Sequence, residues 1–217
     1  MRLDKVSIPS APKKICVYVD GFNLYHAVDE LKDNRLKWLN FYSLAKSFEK
    51  PGEKLNKVYF FTAVLTWNYD KQQRHRNFIA AQEALGVRVI EANFKKVSKF
   101  CHPMNRFCKN HEEKQTDVAI AVTLLEDAMR DEFDRAILVT ADSDQMPLVT
   151  SVKRLFPDKW ITLSAPPGRA HMARELGAVV HDRKPLSVGR LHAHRMPRDI
   201  YDQNGNKVAS MPALYLD

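Results

Sequence analysis

Cysteine is scarce: three residues in a chain of 217, two of them close together beside histidines. That is too few for a disulfide framework, and the expected setting is a reducing, cytoplasmic one. Seven glycines and eleven prolines exclude a collagen-like or linker-dominated chain. No apolar run approaches the roughly 20 residues that a spanning helix needs. The first candidate, Ile15 to Val19, is closed by Asp20, so neither a secretory signal nor a membrane partner is expected. What is present is an ordinary globular composition, 45% hydrophobic and 28% charged, at a length that suits one domain. The charge is lopsided. Thirty-four basic against 26 acidic side chains leave +8, which favours a polyanionic partner such as nucleic acid.

Met1 to Lys14 mixes charge, Ser and Pro without a period and reads as a flexible arm over 1–14. Ile15-Cys16-Val17-Tyr18-Val19 is a short apolar run of the kind buried on both faces of a parallel sheet. Strand-like runs recur at Val58–Val64, Val87–Ala92, Ala136–Thr140, Trp160–Leu163 and Ala178–Val180. Helical stretches fall between them at Phe22–Leu31, Lys71–Leu85, Asp117–Met129, Pro147–Phe156 and Ala170–Leu176, the third with a stripe at 118, 121, 122, 125 and 129. Strands alternating with helices specify an α/β domain with a mainly parallel sheet over 15–182. Residues 183–217 form a basic extension expected to pack on that domain, with Asn204-Gly205 as a hairpin turn signal.

In open α/β sheets the ligand lies outside the carboxyl ends of the strands. Asp20 ends the first strand, Asp142 and Asp144 follow Ala136–Thr140, and Asp117 opens an apolar helix. Each alone is explained as a helix N-cap. Together they repel unless a cation neutralises them, and oxygen donors of this kind suit Mg²⁺ or Mn²⁺ bound along with a phosphate ester. Asn110-His111-Glu112-Glu113 has capping-box spacing, so Glu113 is expected to cap a helix. Lys114 beside it is placed to touch a phosphate or to be solvated.

Val19-Asp20-Gly21-Phe22-Asn23-Leu24 resembles the opening motif of the NYN family of PIN-like ribonucleases. Glu113-Lys114-Gln115-Thr116-Asp117-Val118 is similar to that family's second motif, and Thr140-Ala141-Asp142-Ser143-Asp144 to its third. Asp202-Gln203-Asn204-Gly205-Asn206 resembles the extension of bacterial members. The likeness covers roughly Ile15 to Val180. It implies a Rossmann-like, three-layer PIN/NYN fold and a divalent-metal nuclease site with RNA as substrate. In that site Asp20, Asp117, Asp142 and Asp144 serve as ligands and Asn23 supports them. The family usually has Gly and Phe where this chain has Ala141 and Gln145, and the Gln145 departure is expected to affect packing rather than ligation.

Two rival folds fit less well. A haloacid-dehalogenase-type phosphatase needs a second Asp two residues after the first, where this chain has Phe22, and a dinucleotide-binding domain needs a Gly-rich turn where it has one Gly beside a charge. Cys101, His102, Cys108 and His111 place four zinc-type ligands in one basic loop, either as a structural Zn²⁺ site or as incidental groups. Lys95, Lys96, Lys99, Arg106 and Lys109, interleaved with Phe94, Phe100 and Phe107, suit a single-stranded nucleic-acid surface. Lys71, Arg74, Arg76 and Arg169 are candidates to extend it. The expected function is metal-dependent RNA hydrolysis, with a non-catalytic RNA-binding adaptor as the alternative; monomer and homodimer are both compatible with the sequence.

Overall fold

The computed structural model describes residues 11–101 and 106–216, those at 95–101 and 106–114 by backbone alone. Its central sheet has the order β4-β3-β2-β1-β5-β6-β7. The strands are β1 (Lys13–Asp20), β2 (Glu53–Ala63), β3 (Arg88–Cys101), β4 (Arg106–Lys114), β5 (Arg135–Val139), β6 (Trp160–Leu163) and β7 (Asp182–Arg183). All neighbours pair in parallel except β3 with β4. Among the described residues, no helix is long and apolar enough to cross a membrane.

β1 lies at the middle, and its apolar run divides by parity between two cores. Ile15, Val17 and Val19 join the layer with Leu24 and Val28 of α1 (Gly21–Glu30), Leu44 of α2 (Phe41–Lys46) and Ile79 of α3 (Tyr69–Ala84). Cys16 and Tyr18 join Ile120 and Leu124 of α4 (Thr116–Met129), Val149 of α5 (Met146–Leu155) and Leu176 of α6 (Arg174–Val179). Alternate residues of a strand point to opposite faces, so a strand covered on both sides reads as continuously apolar. The result is the three-layer α/β arrangement expected from the sequence.

Four local expectations are corrected. The supposed loop at 95–111 is an antiparallel ribbon in which β3 runs past the parallel sheet and pairs with β4 from Asn93↔Lys114 to Cys101↔Arg106. Asn110 to Glu113 is therefore strand, not a capping box, and α4 begins at Thr116 after Gln115 takes a left-handed conformation with φ 83°. The expected stripe on α4 is only partly inward: Ala121 and Leu125 pack against the core, but Val118, Val122 and Met129 are exposed, and the buried positions are Thr116, Ile120, Leu124, Asp127 and Ala128. The helix is apolar on most sides, so period alone did not choose a face. Finally, Ala178 and Val179 end α6 instead of forming a strand, and the edge pairing is made by β7.

Beyond β7, α7 (Val188–Ala193) and the antiparallel pair β8 (Asp199–Tyr201) and β9 (Lys207–Ser210) lie against the domain. Met196, Ile200 and Ala209 cluster with Trp38 and with Ala81 of α3. The Trp38 indole donates to the Pro197 carbonyl at 2.8 Å. Gly205, at φ 82°, makes the turn after Asn204.

α4 is fixed to the sheet by a buried polar cluster. Asp127 accepts hydrogen bonds from Tyr18 (2.8 Å) and Tyr59 (3.2 Å), and Lys57 sits 2.9 Å from it. Removing one partner of a buried ion pair leaves the other charge uncompensated. Asp127→Ala is therefore expected to lower unfolding free energy by on the order of 3 kcal/mol, read by chemical denaturation; a loss under about 1 kcal/mol, the range of an exposed pair, would show that Glu132, 3.1 Å from the Lys57 ammonium, compensates it.

Candidate active site

The chain leaves β1 toward β2 and β3 on one side and returns through α4 to β5, β6 and β7 on the other. The boundary between β1 and β5 is thus where the strand order reverses, the place where open α/β sheets bind ligands. Asp20 is the last residue of β1, and Asp142 follows β5 by three positions. Gly21 lets α1 start hard against β2: a Cβ there would lie 2.5 Å from the Phe61 carbonyl oxygen. Only glycine leaves that approach open.

Five hydrogen bonds hold the crevice. The Thr140 hydroxyl donates to Asp20 Oδ2 at 2.8 Å and accepts from the Asp142 backbone N–H at 3.1 Å, so one side chain ties both strand ends together. Asp20 Oδ1 accepts the Asn23 N–H at 3.0 Å, capping α1, while the Asn23 side-chain oxygen accepts the Ala141 N–H at 2.9 Å. Asp142 Oδ1 accepts the Asp144 N–H at 2.9 Å at the start of the 3₁₀ turn Ser143–Gln145. The N-cap role and a ligand role are compatible: Asp142 keeps Oδ2 beyond its capping bond, and each Asp20 oxygen accepts one hydrogen bond and keeps a second lone pair.

Asp20, Asp117 and Asp142 line one cavity of about 290 Å³ together with Phe22, Asn23, His26, Gln115 and Thr116. Asp20 is 5% exposed. Burial pushes its carboxyl up to about 6, with Asp117 and Asp142 adding to the rise and the bonds from Asn23 and Thr140 opposing it. Asp117 is also raised, by burial first and then by Asp142, against a hydrogen bond from Gln145. Although the three aspartates share this cavity, no three His, Cys, Asp or Glu among the described residues stand close enough together to form a ready-made ligand group. The donors are all oxygens, the kind that a hard cation keeping several of its waters takes.

Residues 14–181 match the NYN domain family. The chain belongs to that family. It is 23% identical to 6-hydroxy-3-succinoylpyridine 3-monooxygenase of Pseudomonas putida, over 89% of this chain and 73% of that protein. It also resembles the crystal structure of a protein of unknown function from Vibrio parahaemolyticus, with a TM-score of 0.57 and 17% identity over 83% of this chain and 97% of that one. The structural likeness concerns the fold, and the NYN assignment places the chain among PIN-like nuclease-type domains.

Within this NYN domain, residues of the three motif regions line one cavity, and Asp144 is exposed rather than lining it. Gln145 is not merely a packing substitute: its amide donates to Asp117 Oδ1 at 3.2 Å, while its own Oε1 is buried without a partner among the described residues. Thr140 and Gln145 were missed as site residues, although both sit within or next to the third motif. Arg169 is held 2.5 Å from Glu30 at the far end of α1 from Asp20, away from the carboxylates. Arg76 pairs with Glu91 at 2.6 Å. His102 lies outside the described residues, as do the side chains of Cys101, Cys108, His111, Lys95, Lys96, Lys99, Arg106, Lys109 and Lys114; the backbone register sets Cys108 opposite Lys99 and His111 opposite Lys96.

A carboxyl that is raised on folding binds its proton more tightly in the native than in the unfolded chain. Its contribution is full below an unfolded value near 3.8 and is lost as pH rises through about 6. In chelator, Asp20→Asn is expected to stabilise the protein near pH 7.5 by on the order of 3 kcal/mol and to change it little near pH 4. Thermal melts at both pH values test this, and equal shifts would assign the gain to packing.

Proposed function

We propose that the crevice hydrolyses RNA phosphodiester bonds with Mg²⁺ or Mn²⁺. The observation that carries this reading is the convergence of Asp20, Asp117 and Asp142 on one cavity at the strand-order reversal, two of them with raised carboxyls. Such a cluster costs stability without a cation, and that cost is explained if a cation and a phosphate belong there. The three aspartates would hold the ion, with exposed Asp144 as a further ligand. A bound divalent ion lowers the pKa of a water and neutralises charge on phosphate oxygens. Thr140 fixes Asp20 and the Asp142 loop, Asn23 locks the Ala141 backbone, and Gln145 orients Asp117.

RNA reaches this crevice along the β3–β4 ribbon, whose Lys95, Lys96, Lys99, Arg106, Lys109 and Lys114 supply charge for a phosphate backbone. Phe94, at the root of the ribbon, stands edge-on to Phe22 (5.5 Å between ring centroids) and to Trp67 (4.9 Å). An aromatic path beside a basic one is the arrangement that binds single strands. A structural Zn²⁺ on Cys101, His102, Cys108 and His111 is a separate part of the proposal, tested by the metal content of freshly purified protein.

The decisive experiment is a panel of labelled RNA and DNA oligonucleotides with Mg²⁺, Mn²⁺ or EDTA. RNA is expected to be cut with either ion and not in EDTA. Asp142→Asn and Asp117→Asn should abolish cutting while RNA stays bound, and Thr140→Val should slow it by about 10- to 100-fold. Binding without cleavage under every metal would favour the adaptor instead. A triple replacement of Lys95, Lys96 and Lys99 by Ala should reduce the logarithmic salt slope of binding by about 0.7 for each phosphate that is no longer neutralised; an unchanged slope would move the RNA path off the ribbon.

A further inference from the structure

Phe22 and His26 line not only the acidic crevice but also a second, larger cavity of about 460 Å³. Its floor is aromatic, with Phe41, Phe60 and Phe78, and the three rings meet edge-to-face at 5.0 to 5.7 Å. One wall is the face of α3 that carries Lys71, Arg74, His75 and Phe78, positions that helical spacing places on one side. The other wall comes from the end of the chain, where Leu214 and Tyr215 form part of the 3₁₀ turn Ala213–Tyr215.

The chemistry of this lining is selective. Among the described residues that line it none is acidic, while Lys37, Lys71 and Arg74 are all present. Lys37 is balanced by Asp29 at 2.5 Å. Inside, the His75 ring nitrogen and the Thr62 hydroxyl are 2.9 Å apart. Burial lowers the His75 pKa to about 4, so at neutral pH the imidazole is an uncharged hydrogen-bonding group in an aromatic chamber. A purely apolar ligand makes no use of that pair, and a purely anionic one makes no use of the rings. A flat heterocycle with polar edges and an attached phosphate uses both.

We propose that this cavity receives the base of a nucleotide beside the scissile phosphate, with Lys71 and Arg74 on its phosphate and Tyr215 closing over the ring. The proposal rests on the nuclease reading of the adjoining crevice, because the shared residues Phe22 and His26 put the cavity one step along the same strand. It also gives the C-terminal turn a role in binding: residues 213–215 complete a chamber that the parallel-sheet domain alone leaves open. Selection falls on single-stranded RNA, since a base held in a duplex cannot enter.

The test is binding in EDTA, which is read independently of cleavage. A fluorescent RNA strand is scanned with one abasic nucleotide at each position in turn, against the wild type, Tyr215→Ala and Arg74→Ala. With wild type, one position is expected to lose about tenfold or more in affinity, the effect of one stacked base. Tyr215→Ala and Arg74→Ala should each weaken intact RNA, and the abasic strand should lose little further in Tyr215→Ala. 2-Aminopurine at the sensitive position should change fluorescence on binding to wild type, a readout that stands even if a variant fails to fold. A flat abasic scan overturns the base pocket and leaves the nuclease reading intact. A sensitive position without cleavage under Mg²⁺ or Mn²⁺ supports the pocket and overturns the nuclease. Saturable binding of a free nucleoside monophosphate or pyridine carboxylate together with a flat scan assigns the cavity to a small ligand and overturns the proposal.

Discussion

An aspartate that is 5% exposed at the end of the central strand is the constraint around which the upper edge of this domain is arranged. Buried carboxylates are costly unless bonded or neutralised. Two hydrogen bonds meet the need in part: one from the Asn23 backbone, which makes Asp20 the cap of α1, and one from Thr140 on the neighbouring strand. The Thr140 bond fixes how the β5 loop leaves the sheet, because the same hydroxyl receives the Asp142 N–H. Asn23 then clamps the residue between them through Ala141. Asp20 thereby sets the position of its own charged neighbour, and Asp117 and Asp142 push its carboxyl up further.

That arrangement depends on packing lower in the sheet. β1 presents Ile15, Val17 and Val19 to one layer and Cys16 and Tyr18 to the other, so neither face allows it to slip by one residue without burying the wrong set. Asp127, Lys57, Tyr18 and Tyr59 form a polar tie beneath α4, the helix that carries Asp117 at its first turn. At the other end of β5, Arg135 makes two bonds to Glu53, at 2.8 and 2.5 Å, joining the starts of two strands. Charges buried in pairs away from the crevice fix the elements that carry the unpaired charges within it.

Much of this was legible in the chain because double burial leaves an unbroken apolar run and an acid ending such a run stands out. Ile15 to Asp20 and Ala136 to Asp142 show this. The β3–β4 ribbon was not legible, since its residues alternate charge, ring and thiol in a way that a basic loop also would. The buried face of α4 was misread because Val118, Val122 and Met129 are as apolar as the residues that face the sheet, and the choice was made by Asp127 and its tertiary partners. Phe41, Leu44 and Phe48 were passed over because α2 is only six residues long and shows no full period. Gln145 looked like lost packing; its bond to Asp117 exists only once α4 and the β5 loop meet.

If the crevice is a nuclease site as proposed, the excess of positive charge and the concentration of negative charge serve different steps on the same molecule. Long-range attraction scales with the net +8 and acts on any polyanion, but it cannot choose which phosphate stops at the carboxylates. Choice requires contacts that differ from one nucleotide to the next, and phosphates are alike. The groups near the crevice that can distinguish bases are the rings and the neutral His75–Thr62 pair. On the proposed reading, cations bring a strand to the edge of the sheet, the aspartates define where chemistry takes place, and the aromatic chamber beside them supplies the register between the two.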